Sequence, residues 1–523
     1  MSPKQLFSSS HLPLFILGLA VYIGFFSGIG SMPLFDLDEG AFTTATREMF
    51  LRQDFITPYL NAVPRFDKPI LIYWLQAASA AVFGFNEFAF RLPSALASAI
   101  TVGVVYRFAA GVVSREVAFF AALMLATGLI STVVGKAAIA DAVLMLFLTL
   151  SQFAVFKHWQ TGRAAYIRWA YVAMALGFLT KGPVALLIPG VVSALFYVST
   201  GRWSIWWRAV LDGRGLLLFL VIALPWYVLE YAHQGQAFID GFFLKNNIGR
   251  FSAPMEGHSG GFWFYPVVAV VGILPFTGAL FLALRHIRDA DWRHGQADSS
   301  PLTALRWFGW LWFVFVLVFF SFSGTKLPHY LNYGMVGLML VLATYLPSIH
   351  HRGLHVLPVL IFWGLLLALP SLVDEFFDRI HPLYVQQMLA DRAAVFGWGW
   401  YVPLGVFLLM GLWTLFDRRR SLPMLLVPLA LAFSWSVNGL VVPAVAELQQ
   451  APIRAAGLLA RDLPGPALMY RMNTPSFGVY AGKILKRGTP QPGDLVLTRA
   501  VYAGELDAKV LFSQGGVVLL RMQ

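Results

Sequence analysis

The sequence predicts an all-α polytopic membrane protein with a small α/β domain at its C-terminal end. Two observations predict it. Of 523 residues, 58% are hydrophobic and only 12% charged, whereas soluble globular chains carry about a quarter charged residues. Apolar segments of roughly 20 residues, the length that crosses a hydrocarbon core, recur from Leu12 and stop near Val442.

The first segment, 12–30, has no convincing small-residue cleavage site and reads as a retained span. Further candidates lie at 88–111, 117–134, 138–156, 169–180, 183–199, 215–233, 262–284, 304–323, 328–347, 354–372, 397–416 and 422–442, thirteen spans in all. Gly182-Pro183 interrupts the pair 169–180 and 183–199. Segment 70–85 is also apolar, and reads as an interfacial helix against the bundle rather than a span. Counting it as a span would invert everything after it. Basic residues arbitrate: with a cytoplasmic N-terminus and 70–85 not crossing, short arginine-rich connections such as Asp417-Arg418-Arg419-Arg420 fall inside. The odd number of spans then puts the first loop, 31–87, and the chain beyond 442 on the outer face.

Past Val442 the long apolar runs end. Short runs at Ala467–Tyr470, Asp494–Thr498 and Gly516–Leu520 are set off by Pro464-Gly465-Pro466 and Pro490-Gln491-Pro492-Gly493 and read as strands. The expected division is a membrane domain, 1–442, and an outer, periplasmic α/β domain, 443–523. The net charge of +12 fits topology and anionic lipid rather than nucleic acid. The absence of cysteine excludes disulfides, thiolate metal sites and a cysteine nucleophile. No glycine-rich phosphate loop is present, so no nucleotide cofactor is expected.

The candidate chemistry lies in the loops. Asp38-Glu39 follows the first span; a carboxylate there takes a proton from an acceptor hydroxyl, or caps an interfacial helix as acids at helix N-termini do. In Asp67-Lys68-Pro69 the lysine is a point charge for a phosphate, or an interfacial lysine reaching for headgroups. Lys136 and Asp141 flank the start of the fourth span, with Asp141 a candidate catalytic carboxylate or the partner of Lys136 in a salt bridge. Lys181 adjoins a turn built by Gly182 and Pro183. Arg250 offers a guanidinium fork for phosphate, while Glu256 and His258 are donor types that suit zinc or manganese. Lys326 and Tyr330, in the stretch Ser323–Tyr330, are phosphate ligands or part of an interfacial Lys/Tyr belt. One topology puts all of these on the same outer face, which points to one site for an anionic, lipid-linked substrate.

These motifs carry a family resemblance. Asp38-Glu39, REMF at Arg47–Phe50, NAVPRFDKPILIYW at Asn61–Trp74, GFNEFAFRLPS at Gly84–Ser94, LTKGPVALLIPG and SGTKLPHY follow one another in order. The chain resembles the protein O-mannosyltransferase-like branch of the GT-C glycosyltransferases, and especially the bacterial aminoarabinose lipid A transferases, over about residues 10–345. It departs from them at Ala41, where those members carry arginine, and at Asp67 and Ile70 of the FDKPI segment. The resemblance implies a GT-C fold and inverting sugar transfer from undecaprenyl phosphate. The acceptor it implies is lipid A or another envelope glycolipid; the alternatives are a protein O-glycosyltransferase and a lipid-linked-sugar flippase. It makes Asp38 the essential first-loop aspartate and Lys68, Arg250, Lys326 and Tyr330 the donor-phosphate ligands. It matches Asp67 and His258 to zinc-binding positions, so a divalent metal (zinc, magnesium or manganese) is the expected cofactor.

Overall fold

The computed structural model describes residues 11–253, 260–287, 300–349 and 351–523. Among these, seven helices are long and apolar enough to cross a membrane, or up to nine if each of two bent pairs counts as one. The chain is a multi-pass membrane protein. Its central helices, Arg115–Thr127, Asp141–Thr161 and Asn332–Ala343, are buried almost all round. The outer helices, such as Gly213–Gln234 and Arg352–Phe376, leave long apolar stripes exposed, as lipid-facing helices must. Rings fill the centre: Phe108 stacks on Phe153 with centroids 3.7 Å apart, and Phe156 meets both Phe196 and Phe308. Helices Pro301–Ser321 and Asn332–Ala343 approach through Gly309 and Gly337. A Cβ on either would lie 2.6 or 2.8 Å from the other's carbonyl oxygen, so the backbones are in contact there.

Two expected spans are broken. Segment 117–134 bends by 61° between Arg115–Thr127 and Leu129–Gly135, and segment 262–284 by 117° between Phe264–Gly272 and Thr277–Arg285. Gly128 and Pro275 supply the breaks, and the two meet: Leu129 N–H donates to Leu274 O at 3.0 Å. A break inside apolar surroundings persists where its freed backbone groups are satisfied by protein. Helix Leu71–Phe83 has 13 residues, about 20 Å at 1.5 Å per residue, too short for a core of roughly 30 Å. It buries Ile72, Tyr73, Gln76 and Ala80 and exposes Trp74, Val82 and Phe83.

The first loop packs around helix Asp38–Arg52. This helix is buried on nearly every side despite its polar sequence. Its Glu48 carboxylate accepts from the backbone N–H of Asn61 at 2.6 Å and Ala62 at 3.1 Å. Both turn residues have positive φ and join the short antiparallel strands Tyr59–Leu60 and Val63–Pro64. Thr46 donates to Gln76 Oε1 at 2.7 Å, fastening the helix to Leu71–Phe83.

The C-terminal sheet runs, in spatial order, Ala467–Met469, Leu495–Arg499, Val517–Met522 and Ala508–Gln514; the first pair is parallel and the others antiparallel. Ala467, Leu495, Leu497, Val517 and Leu519 face helices Ala451–Asp462 and Ser476–Ala481, and Leu468, Val496, Val518 and Leu520 face the other way. This is the period of two that a strand imposes. The sequence reading missed strand Ala508–Gln514, an edge strand with no fully buried residue whose apolar run is only Val510-Leu511-Phe512. The expected boundary at 442 falls inside a helical run. Leu422–Gln449 continues through a π turn at Val437–Val441, with Pro443 accommodated in the first turn of the next helical segment.

Candidate active site

Two cavities meet the loop–bundle junction. The first, of about 510 Å³, is lined by Asp67, Lys68, Lys181, Arg250, Tyr330 and Tyr333 at its polar end and by Phe243, Phe251, Phe319 and Phe320 elsewhere. Three cations over an aromatic wall suit a phosphate attached to a hydrocarbon chain. Lys68 Nζ donates to the Asp67 carbonyl at 2.9 Å. Arg250 Nη1 donates to the Tyr330 hydroxyl at 3.3 Å. Asp67 pairs with Arg65 at 3.1 Å, and Arg65 also donates to the Tyr73 hydroxyl at 3.1 Å and lies over the Phe42 ring. Burial pushes the Lys68 ammonium down to about 7, with Lys181 and Arg250 adding repulsion. Burial alone would raise the Asp67 carboxyl, but Arg65, Lys68, Arg250 and Lys245 hold it below the usual carboxylate range.

Lys181 also reaches inward. Its Nζ donates to Asp141 Oδ1 at 2.8 Å and to the Tyr333 hydroxyl, which itself donates to Asp141. The sequence reading paired Asp141 with Lys136. Instead, Lys136 turns away and donates to Ser27 O at 3.2 Å. His329 Nε2 stands 3.8 Å from Asp141 Oδ1, within electrostatic reach of Asp38, Lys68 and Lys181.

The second cavity, of about 470 Å³, is lined by Asp36, Asp38, Glu39, Arg91, Lys136 and His329 and by apolar side chains that include Val437, Val441, Val442, Val445 and Phe362. Asp38 opens helix Asp38–Arg52 but makes no capping bond, and its side chain is exposed. The alternative reading of Asp38 as a solvated acid at a helix start is met in position, without a capping bond. Glu39 is its opposite. Its oxygens accept from Arg91 Nε at 2.8 Å, Arg91 Nη2 at 2.6 Å, Phe35 N–H at 2.8 Å and Ala138 N–H at 2.7 Å. Burial opposes its charge, but Arg91 and these donors hold its carboxyl below the usual range. Glu39 thus ties loop to bundle and has no oxygen left for a substrate proton. Burial pushes the Asp36 carboxyl up to about 7, although Ser476 donates two hydrogen bonds to it.

Lys326 too is placed differently from its sequence reading. Its Nζ donates to Ser321 O at 2.6 Å and Ser323 O at 3.0 Å, at the end of helix Pro301–Ser321, and it does not line the first cavity. An ammonium closing helix C-terminal carbonyls is already well used. Lys181 stands on the cavity wall that sequence reasoning gave to Lys326. Tyr333, which it also missed, lies three residues from Tyr330 and shares its face, the spacing that could have found it.

Glu256 and His258 lie outside the described residues. Among the described ones, no group of three His, Cys, Asp or Glu side chains could hold a metal ion. Among the described residues, the charged groups bearing on Asp67 are the cations Arg65, Lys68, Arg250 and Lys245.

The profile of the dolichyl-phosphate-mannose-protein mannosyltransferase family matches residues 67–228. A protein of Aquifex aeolicus is 33% identical over 335 residues, 64% of this chain and 73% of that protein. An undecaprenyl phosphate-alpha-4-amino-4-deoxy-L-arabinose arabinosyl transferase of Sodalis glossinidius is 30% identical over 407 residues, 72% of each. Among solved structures, ArnT from Cupriavidus metallidurans bound to undecaprenyl phosphate superposes with a TM-score of 0.81, at 20% identity and over 97% of both chains. That superposition shows a shared fold, including the small C-terminal sheet.

Proposed function

From a chain that belongs to the undecaprenyl phosphate-aminoarabinose arabinosyl transferase family, we propose sugar transfer from an undecaprenyl-phosphate-linked donor to lipid A, with 4-amino-4-deoxy-L-arabinose as the sugar. The protein is a polyprenyl-phosphate-sugar-dependent glycosyltransferase working in the membrane. One observation carries the assignment of sides: a cationic, aromatic cavity at Lys68, Lys181 and Arg250 neighbours an apolar cavity that holds Asp38. The first takes the donor phosphate with the start of its polyprenyl chain, and the second takes the acceptor. Its valine wall favours a lipid over a protein acceptor.

The reaction is a single inverting displacement. An acceptor oxygen attacks the anomeric carbon as the bond from that carbon to the donor phosphate oxygen breaks. The bonding pair leaves on the phosphate, and undecaprenyl phosphate is released. Lys68, Lys181 and Arg250 stabilise this departing charge from fixed positions, the arrangement that lowers a barrier most. An acceptor hydroxyl needs a base, and Asp38 takes its proton. A lipid A phosphate is already ionised; Asp38 then orients the sugar amine, and Lys136 meets the acceptor's charge. The site faces the periplasm of the bacterial inner membrane in this reading, with loop 31–87 and the C-terminal sheet on that side. Mass spectrometry of lipid A and envelope glycans from cells with and without the gene tests the function. Loss of the aminoarabinose adduct on deletion supports it, and an unchanged lipid A with an altered protein glycan would redirect it to a protein acceptor.

A further inference from the structure

We propose that Ser476 of the C-terminal domain is a positioning residue for the transfer site, acting through Asp36 on the turn that carries Asp38. The inference rests on the transfer reaction assigned above. The Asp38 side chain makes no hydrogen bond among the described residues, so its place is inherited from its neighbours in the chain. Those neighbours are held by one short segment. Ser476 N–H donates to Asp36 Oδ1 at 3.0 Å and its hydroxyl to Asp36 Oδ2 at 2.5 Å. Leu34 N–H donates to the Tyr480 hydroxyl at 2.7 Å, and Thr44 Oγ1 to Pro475 O at 2.7 Å. Contacts at 34, 36 and 44 thus bracket Asp38, and all end on residues 475–480.

The fit is close. Gly40 lies in the first turn of helix Asp38–Arg52. A Cβ there would stand 1.9 Å from Asp36 Oδ1 and 2.6 Å from Ser476 N, so no larger residue passes. Every residue of helix Ser476–Ala481 is buried. Asp36 and Asp38 line the same cavity, so a shift of the Asp36 carboxylate is a shift of the wall in which Asp38 stands. A displacement of about 1 Å in a reacting geometry costs about 100-fold in rate.

A merely adhesive role predicts something else. The domain is docked independently by Arg454 on Glu87 at 3.1 Å, Arg487 on Asn61 O at 3.1 Å and Arg47 on Val479 O at 2.7 Å. Loss of the Ser476 hydroxyl leaves these intact. The positioning role therefore shows in turnover, and adhesion would show in unfolding.

The test uses the full chain in detergent or liposomes, with Ser476→Ala, Ser476→Thr and Gly40→Ala beside the parent. Hydrogen exchange of peptides within 34–46 reads the loop without reference to any substrate. Turnover and binding of an undecaprenyl-phosphate-linked sugar read the site. Ser476→Ala is expected to speed exchange in 34–46 and lower kcat about 10- to 100-fold, with donor Kd within twofold and the unfolding temperature unchanged. Ser476→Thr, which keeps the hydroxyl, restores kcat to within about threefold. Gly40→Ala, whose Cβ has no room beside Asp36 and the Ser476 backbone, is expected to speed exchange in 34–46 and lower kcat as well, with a lowered unfolding temperature. Unchanged exchange in Ser476→Ala overturns the clamp, as does faster exchange with full kcat, or a lowered unfolding temperature that Ser476→Thr does not restore. A parent protein that turns over no such donor overturns the transfer reading, while the exchange data still decide whether the clamp exists.

Discussion

Lys181 Nζ donates to Asp141 Oδ1 at 2.8 Å, and both side chains are almost fully buried, at 9% and 4% exposure. The pair joins the break after helix Ala164–Lys181 to the start of helix Asp141–Thr161, and its lysine faces the donor cavity. One contact therefore links the bundle to the wall of the cavity proposed for the phosphate.

Breaking that pair leaves a buried charge alone. Lys181→Met is expected to destabilise the protein by about 3–5 kcal/mol and to weaken donor binding. Lys181→Met with Asp141→Asn removes both charges and should recover much of the stability without recovering donor affinity. Unfolding in detergent and donor binding, measured on the single and double variants, check this. Recovery of both together would mean that Lys181 does not touch the donor.

Lys68→Ala and Arg250→Ala should each raise the barrier by about 3–4 kcal/mol, as loss of a fixed charge beside a developing anion does. Lys326→Met is the contrast. Its ammonium is spent on Ser321 and Ser323 carbonyls, so donor Kd should stay within a few-fold while local stability falls by roughly 1 kcal/mol, the worth of a modest hydrogen bond. Single-turnover rates and donor titrations on the three variants separate the cases. A Lys326→Met defect in donor binding as large as that of Lys68→Ala would contradict the placement of Lys326.

The depressed Lys68 ammonium sets a pH dependence. Without donor it titrates near 7, below its ordinary value, so it is charged at pH 6 and largely neutral at pH 8.5. A bound phosphodiester favours the charged form, so binding takes up a proton above pH 7. Donor Kd should be flat below pH 7 and rise by up to about tenfold per pH unit above it, until the raised pKa of the complex is reached. Calorimetry at pH 8 in two buffers of different ionisation enthalpy should register this proton uptake, and Lys68→Met should abolish it. Equal heats in both buffers would leave Lys68 out of the phosphate site.

Much of this architecture was legible in the chain. The switch from long apolar runs to short ones between turn residues located the C-terminal sheet, because buried strands and membrane helices need different run lengths. The gathering of Asp38, Lys68, Arg250 and Tyr330 around two neighbouring cavities was expected from their places in the loops between spans. What was not legible depended on packing. Lys181 and Asp141 are brought together by two helices, and no local pattern records that partnership. Lys326 finds its acceptors on carbonyls of its own turn, which residue types do not announce. The bends at Gly128 and Pro275 stabilise each other through one backbone bond between distant segments. Glu39 and Asp38 are adjacent in sequence and line one cavity, yet Glu39 is buried against Arg91 while Asp38 is exposed, since successive helical positions point in different directions.

Asp38→Asn keeps the shape and removes the charge and the basicity. Donor Kd should be unchanged, because the proposed phosphate ligands Lys68, Lys181 and Arg250 line the other cavity. With a hydroxyl acceptor, turnover should fall by about 100-fold or more, as loss of a general base does. With a phosphate acceptor the loss should be milder and should appear as weaker acceptor binding. Full activity would make Asp38 a bystander.

The most direct measurement is transfer itself: the purified protein in liposomes with undecaprenyl-phosphate-linked 4-amino-4-deoxy-L-arabinose and lipid A, followed by mass spectrometry of both lipids. The expected result is aminoarabinose on lipid A with free undecaprenyl phosphate released in equal amount, and neither product with Lys68→Ala. Intact donor and unmodified lipid A after incubation with folded protein that binds the donor would contradict the account.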